Sequence, residues 1–303
     1  MTEIAGYVNT DPDALAAVLR EAGVLAALSQ RRATAPNETQ PSLTGMLAAA
    51  RDVVAEQLPV GPAPSGPREL AAATWEATPS DVRERRDVQA AVVWTSPAMV
   101  VSLKQLHLAA VNEWLEERGV PPLPDGVGWL RGLLIAWRGH AAIFVDGTLP
   151  EPERRFTLAH EHGHLLLDYF VPRQRVMRDA PELLDVIDGH RLPTDADRAR
   201  AILARVPLGV HTHMLHRDDH GGAAETTLRA EEGASIYALE LLAPWDDVLN
   251  MLRAKPLRGT YSECVAAAAA ELAEAFDIPA EAAQVRATGA LAALGIRPGF
   301  FDR

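Results

Sequence analysis

The sequence is short of cysteine and of long apolar runs, and each shortage excludes a class of protein. Cys264 is the only cysteine among 303 residues, so neither an intramolecular disulfide nor a cluster of zinc-binding thiolates can form. No stretch approaches the roughly 18 apolar residues that a membrane-spanning helix needs. The first 30 residues lack the basic start and continuous apolar stretch of a signal peptide. We therefore expect a soluble cytoplasmic protein without membrane contact.

Positive charge is scarce as well. The chain has 29 lysine and arginine residues against 41 aspartate and glutamate residues, which gives a net charge of −12. Affinity for phosphate backbones comes from clustered lysine and arginine, so direct binding of nucleic acid is not expected. Hydrophobic residues make up 48% and charged residues 23% of the chain, as in ordinary globular proteins. At about 150 residues per domain, the length allows about two domains.

Two segments rich in proline and glycine, residues 59–67 and 119–124, interrupt the N-terminal part of the chain. Apolar residues at helical spacing predict helices before each of them, over residues 10–57 and 68–117. A DNA-reading helix-turn-helix in the first of these helical stretches would need basic recognition residues, which are not evident. We interpret residues 1–120 as a helical N-terminal region whose role the sequence does not reveal.

Beyond residue 126 the pattern changes to short apolar runs. The runs over residues 129–137 and 140–145 flank Arg138-Gly139, which is typical of a β-hairpin. The polar residues 171–228 have no clear pattern, and we expect the histidine-rich stretch 211–216 within them to be a loop. Helical spacing then predicts three more helices, over residues 228–242, 263–278 and 280–294.

The sequence after the hairpin contains several residues that are typical of the start of a helix. Thr148 is the expected N-cap, and Glu151 three residues later completes a capping box. Pro150 and Pro152 suit the first turn of this helix, and Pro172 is expected to end it.

This helix carries the pattern H-E-x-x-H. His160 and His164 lie one turn apart on one helical face, so both imidazoles can bind a single metal ion. Glu161 projects to the side, where a carboxylate can act as general base toward a metal-activated water. His162 points away from the His160 face, and we expect it near the site behind the ligands or at the surface. The pattern predicts a catalytic metal centre.

A catalytic zinc site needs a third protein ligand and an open fourth position for water. Asp168 lies another turn along the same helix, but three ligands in a straight line do not surround a tetrahedral ion. Four histidines of the predicted loop are further candidates, and one of them could donate to the oxyanion of a tetrahedral intermediate: His211, His213, His216 and His220. We expect one metal ion per chain.

Glu231 and Glu232, on the predicted helix over residues 228–242, are the remaining candidates. Adjacent helical residues diverge by about 100°, so only one of them can face the histidines. Glu231 shares a stripe with Ser235, Ala238 and Leu242, at the spacing of a packing face. We therefore take Glu231 as the third ligand and keep Glu232 as the alternative.

Two segments resemble the ImmA/IrrE metallopeptidase family. Residues 156–167 are similar to the last part of the family segment R-F-T-L-A-H-E-x-G-H-x-L-L. Residues 231–244 are similar to its motif E-x-x-A-N-x-F-A-A-E-L-L-M-P, with Ser235 in place of the asparagine. The leading glutamate of that motif is the third metal ligand, which again corresponds to Glu231. The resemblance covers about residues 126–250 and leaves residues 1–120 outside it.

The resemblance implies an α+β fold that is predominantly helical. Residues 126–250 would form a minimal zincin-like core, a small sheet packed on the H-E-x-x-H helix, and residues 251–303 a C-terminal helical extension. The implied cofactor is Zn²⁺, although two histidines and a carboxylate also suit Mn²⁺ or Fe²⁺. The implied function is intracellular cleavage of a protein substrate, such as a helix-turn-helix repressor, with Glu161 as general base.

Two other functions are compatible with the sequence. A zincin-like scaffold could keep its metal and act only as a regulatory interaction module. The intact Glu161 argues against this reading, because a purely structural metal site needs no base beside a water molecule. A metallohydrolase acting on a small non-peptide substrate is the other alternative, and a cleavage assay would separate the three functions.

Overall fold

A computed structural model describes residues 66–298, apart from 121, 124–127, 205, 207, 217–224 and 256. Helices predominate: α1 (Pro67–Ala77), α2 (Ser80–Glu84), α3 (Val88–Thr95), α4 (Leu108–Glu116), α5 (Glu151–His164), α6 (Val171–Asp179), α7 (Leu184–Ile187), α8 (Asp195–Ala204), α9 (Glu225–Leu242), α10 (Trp245–Ala254), α11 (Tyr261–Phe276) and α12 (Ala280–Ala293). A π-helical segment (Leu165–Phe170) joins α5 to α6, and a 3-10 turn (Pro181–Leu183) precedes α7. The strands are β1 (Ala98–Leu103), β2 (Leu130–Trp137), β3 (His140–Asp146) and β4 (His211–His216). The predicted α+β, mainly helical class is confirmed.

The strands form one mixed sheet in the order β1-β3-β2-β4. The predicted hairpin is present as the antiparallel pair β2 and β3, and β4 pairs antiparallel with the other side of β2. Arg138 and Gly139 both have positive φ, of 50° and 80°, as a two-residue hairpin turn requires. β1 runs parallel to β3.

Both outer strands differ from expectation. The prediction of helix over residues 68–117 is wrong at β1, whose Val100 and Val101 suit a strand. The prediction of a loop over residues 211–216 is also wrong, because β4 pairs along β2 from Leu130 to Ala136. β1 precedes residue 120, so part of the predicted N-terminal region contributes to the same sheet as the hairpin. The predicted helix over residues 10–57 lies outside the described residues, and the domain boundaries remain predictions.

The sheet has a hydrophobic core on each face. Residues Leu134 and Ala136 of β2 belong to the core that includes α5 and α9, whereas Leu133 and Ile135 belong to the core with α4. All four side chains are fully buried. Burial of both faces explains why β2 reads as a continuous apolar run rather than as an alternating one.

The helix α5 begins and ends differently from the prediction. Its N-cap is Pro150, without a side-chain cap, while Thr148 donates from its amide and its hydroxyl to Asp146 Oδ1 at 2.8 and 2.7 Å. The proposed capping box is therefore wrong. The chain also continues past Pro172 as a helix to Asp179. Pro172 lies in the first turn of α6, directly after the wider π-helical segment has shifted the hydrogen-bond register, so its missing N–H is tolerated.

The C-terminal helices agree with the prediction. The helix expected over residues 228–242 is α9, and those expected over residues 263–278 and 280–294 are α11 and α12. These helices are long and strongly periodic, which makes them readable from local sequence. Within the described ranges, no helix is both long enough and apolar enough to cross a membrane.

Candidate metal centre

The close packing of α9 on α5 assembles the candidate centre. A Cβ atom at Gly163 would lie 3.0 Å from Ala234 Cα and 3.1 Å from its carbonyl oxygen. A larger residue at position 163 would therefore require the two backbones to move apart by a few tenths of an ångström. The crossing lies beside the H-E-x-x-H pattern and brings Glu231 of α9 to the imidazoles of α5.

Three candidate ligand atoms form a triangle at this crossing. His160 Nε2 lies 3.1 Å from His164 Nε2, and Glu231 Oε2 lies 3.2 Å from the first and 3.6 Å from the second. A tetrahedral Zn²⁺ with bonds of about 2.0–2.1 Å separates its ligand atoms by about 3.3 Å. The nitrogen and oxygen ligands of this triangle therefore fit a zinc ion in both chemistry and spacing.

The triangle is buried on the histidine side and open on the glutamate side. His160 and His164 are almost fully buried, whereas 33% of the Glu231 side chain is exposed. Burial by itself would raise the pKa of Glu231, but hydrogen bonds from His160, His164 and His213 hold that pKa far below its ordinary value. Glu231 is thus an anion at the mouth of the site, as a ligand for a cation must be. Glu232, the alternative ligand, is exposed.

The outer nitrogens of both histidines also have partners. Asp168 Oδ2 lies 2.6 Å from His164 Nδ1, and Ser235 Oγ lies 3.4 Å from His160 Nδ1. Such contacts fix the tautomer and ring orientation that present Nε2 to a metal. Asp168, considered above as a third ligand, therefore lies behind His164. Ser235, at the asparagine position of the family motif, lies behind His160.

Glu161 lies buried beside the triangle. Its Oε2 atom is 2.9 Å from His213 Nδ1, and among the described residues its Oε1 atom has no hydrogen-bond partner. The carboxylate lies against Gly132 of β2, where a Cβ atom would come within 2.7 Å of Oε1. A buried carboxylate oxygen without a partner is suited to bind a water molecule or a substrate group.

The structure adds His213 to this centre. His213 Nε2 lies 2.7 Å from Glu231 Oε1, and the ring stacks on that of His164 with 3.6 Å between centroids. Ligand atoms of His160, His164, His213 and Glu231 all lie within 4.8 Å of one another. Burial opposes the charge on His213, but hydrogen bonds to Glu161 and Glu231 outweigh it and raise the pKa of His213 to about 10.

Sequence reasoning left His213 as one of four equivalent loop histidines. In a strand, residues two apart share a face, so His211 and His213 point to the same side of the sheet. A prediction of a strand over residues 211–216 would have placed His211 and His213 on the same face. His211 does not reach the centre: it stacks on Tyr169, and burial lowers its pKa to about 4. His220 lies outside the described residues.

His162 lies on the other side of α5, fully buried, so the surface alternative for it is wrong. Its ring nitrogens are hydrogen-bonded to Ser96 Oγ at 2.7 Å and to the Tyr237 hydroxyl at 2.8 Å. The Tyr237 hydroxyl lies 2.9 Å from Thr74 Oγ1 in turn. Burial lowers the pKa of His162 to about 3, so the ring is neutral. These hydrogen bonds link α5 to α9, α1 and the end of α3.

Comparison with known proteins agrees with the resemblance. Residues 122–184 match the family model of the IrrE N-terminal-like domain, a peptidase family. The match contains His160, Glu161 and His164 and ends before β4 and α9. No curated protein matches the chain. Residues 122–184 are thus similar to a peptidase family, and this similarity supports a metallopeptidase-type function.

Proposed function

We propose that this protein is a zinc-dependent endopeptidase that hydrolyses a peptide bond in a protein substrate. The observation that carries the proposal is the triangle of His160, His164 and Glu231 with a buried carboxylate, Glu161, beside it. Two histidines and a glutamate are the ligand set of several zinc peptidases, and three protein ligands leave one position for water. A site with a purely structural metal would have no use for Glu161.

Each residue has a distinct task in this proposal. His160, His164 and Glu231 would hold the ion, and Asp168 and Ser235 would orient the two histidines. A divalent cation held there would lower the pKa of a water molecule from 15.7 to about 7 and would polarise a carbonyl group. Glu161 would take the proton of the attacking water and pass it to the leaving amine.

The sheet supports a polypeptide as substrate. Among the described residues β4 pairs only with β2, so its outer edge can hydrogen-bond an extended peptide. β4 also carries His213, which reaches the metal centre. The family resemblance favours a helix-turn-helix repressor as the protein that is cut.

Incubation of the purified, zinc-loaded protein with repressors encoded beside its gene tests the proposal, with products identified by mass spectrometry. Cleavage should disappear when the metal is chelated and return when zinc is added. Glu161→Gln should retain one zinc ion per chain and lose cleavage by at least about 100-fold, because it removes only the base. Glu232→Gln, a matched change at an exposed carboxylate of α9, should cleave normally. Cleavage by Glu161→Gln at the wild-type rate would reject the mechanism.

A further inference from the structure

We propose that His213 is a positioning residue that holds the general base and the third ligand in one geometry. The proposal rests on the proposed function and assigns a task to a residue outside the two family motifs. His213 contacts Glu161 Oε2 through Nδ1 at 2.9 Å and Glu231 Oε1 through Nε2 at 2.7 Å. Ionised carboxylate oxygens only accept hydrogen bonds, so the ring is the donor in each contact, and it makes both contacts at once when each ring nitrogen carries a proton.

The two carboxylates belong to different helices. Glu161 lies on α5 and Glu231 on α9, and His213 lies on β4, so one ring connects three elements. Without this ring, Glu161 Oε2 and Glu231 Oε1 would both lose their hydrogen bond to β4. Each carboxyl group could then adopt another rotamer. His213 therefore keeps the base at a constant position relative to the metal ligands.

His213 is itself held firmly. Its backbone lies opposite Leu134 in the β2–β4 ladder, and its ring stacks on His164 at an interplanar angle of 24°. Only 16% of the side chain is exposed. Groups on rigid strands position a site more accurately than groups on loops.

The geometry favours this role over that of a fourth metal ligand. Glu231 presents Oε2 to His160 and His164, and its other oxygen, Oε1, to His213. Both nitrogens of His213 are thus within hydrogen-bond distance of a carboxylate. A fourth protein ligand would also close the position that a catalytic site keeps for water.

Three substitutions at position 213 separate the two contacts. The amide nitrogen of glutamine lies near the place of Nε2, and that of asparagine near the place of Nδ1. His213→Gln therefore keeps a donor to Glu231, His213→Asn keeps a donor to Glu161, and His213→Ala keeps neither. His211→Gln is the matched control, since His211 is a partly buried histidine on the same face of β4 and has no hydrogen bond to either carboxylate.

Zinc affinity is measured by competition with a chelator, and kcat and KM on a cleaved peptide. His213→Ala should lower zinc affinity and kcat by about 10–100-fold each, with KM within a few-fold. His213→Gln should recover zinc affinity more than kcat, and His213→Asn should recover kcat more than zinc affinity. His211→Gln should leave all three quantities within a few-fold. A merely structural role would not produce this reciprocal rescue.

The absorption spectrum of the Co²⁺-loaded protein, at saturating metal, reports the coordination of the ion. Saturating Co²⁺ itself holds Glu231 in place, so the spectrum should be the same in wild type and His213→Ala. A changed spectrum would show that His213 is a ligand, and wild-type zinc affinity in His213→Ala would show that it has no role; either result overturns the proposal. Affinity and spectrum do not require a cleaved substrate, so they remain decisive if the endopeptidase proposal fails.

Discussion

Replacing Gly132 by alanine should displace the proposed base without touching the metal ligands. Gly132 lies on β2, facing α5. A Cβ atom there would lie 2.7 Å from Glu161 Oε1, 2.8 Å from Thr157 Cγ2 and 2.9 Å from Glu161 Cγ. These distances are roughly 0.5–1 Å shorter than ordinary van der Waals contacts, so both side chains must move.

The size of the effect follows from the surroundings of Glu161. The side chain is fully buried, so the carboxylate has no solvent into which it can turn. Overpacking of this kind costs about 1–3 kcal/mol in the free energy of unfolding. Misplacement of a catalytic group by about 1 Å costs about 100-fold in rate, so kcat of Gly132→Ala should fall by about 10–100-fold. None of the three predicted ligands is among the close contacts, so zinc affinity should stay within a few-fold.

The assay combines kcat on a cleaved substrate, zinc content and urea unfolding. Gly233→Ala on α9 is the matched control, because its Cβ would meet only Leu167 Cδ1 at 3.4 Å and alanine favours the helix. Wild-type kcat in Gly132→Ala would refute the reasoning that the position of Glu161 controls the reaction. Loss of zinc together with activity would refute the separation of base and ligands.

Three further outcomes are expected. In chelator competition, Glu231→Ala should weaken zinc binding at least about tenfold and Glu232→Ala by no more than a few-fold. Elemental analysis should give one metal ion per chain. Equal effects of the two variants, or two metal ions per chain, would contradict the assignment. Tyr237→Phe should cost about 1–3 kcal/mol in urea unfolding, because it leaves the buried Nδ1 atom of His162 without its hydrogen-bond partner; an unchanged midpoint would contradict this. Because burial lowers the pKa of His162 to about 3, the unfolded chain takes up its proton first as the pH falls below 6.5. The free energy of unfolding should therefore decrease below that pH, by up to about 1.4 kcal/mol per pH unit, and His162→Asn should reduce the slope.

The core of the candidate centre was predictable because its information is local. His160 and His164 share a face by helical spacing alone, and the stripe of α9 separates Glu231 from Glu232 without knowledge of the partner helix. The hairpin of β2 and β3 and the C-terminal helices are also marked by turn residues and periodicity within a few residues. For these elements the local pattern and the tertiary packing agree.

Only the tertiary structure decided which residues surround those candidate ligands. β1 forms a strand because it pairs with the edge of β3, and β4 forms one because it pairs with the edge of β2. Both pairings join segments that are far apart in the chain. The role proposed for His213 follows from the pairing of β4 with β2, which leaves no periodic signal in the sequence. The spacing of Asp168 from His164 was visible in the sequence, but only the side-chain geometry places its carboxylate on Nδ1 of that histidine. The formation of short strands depends on burial and pairing more than on the intrinsic β-propensity of their residues, whereas a long amphipathic helix can be predicted from the periodicity of its own sequence.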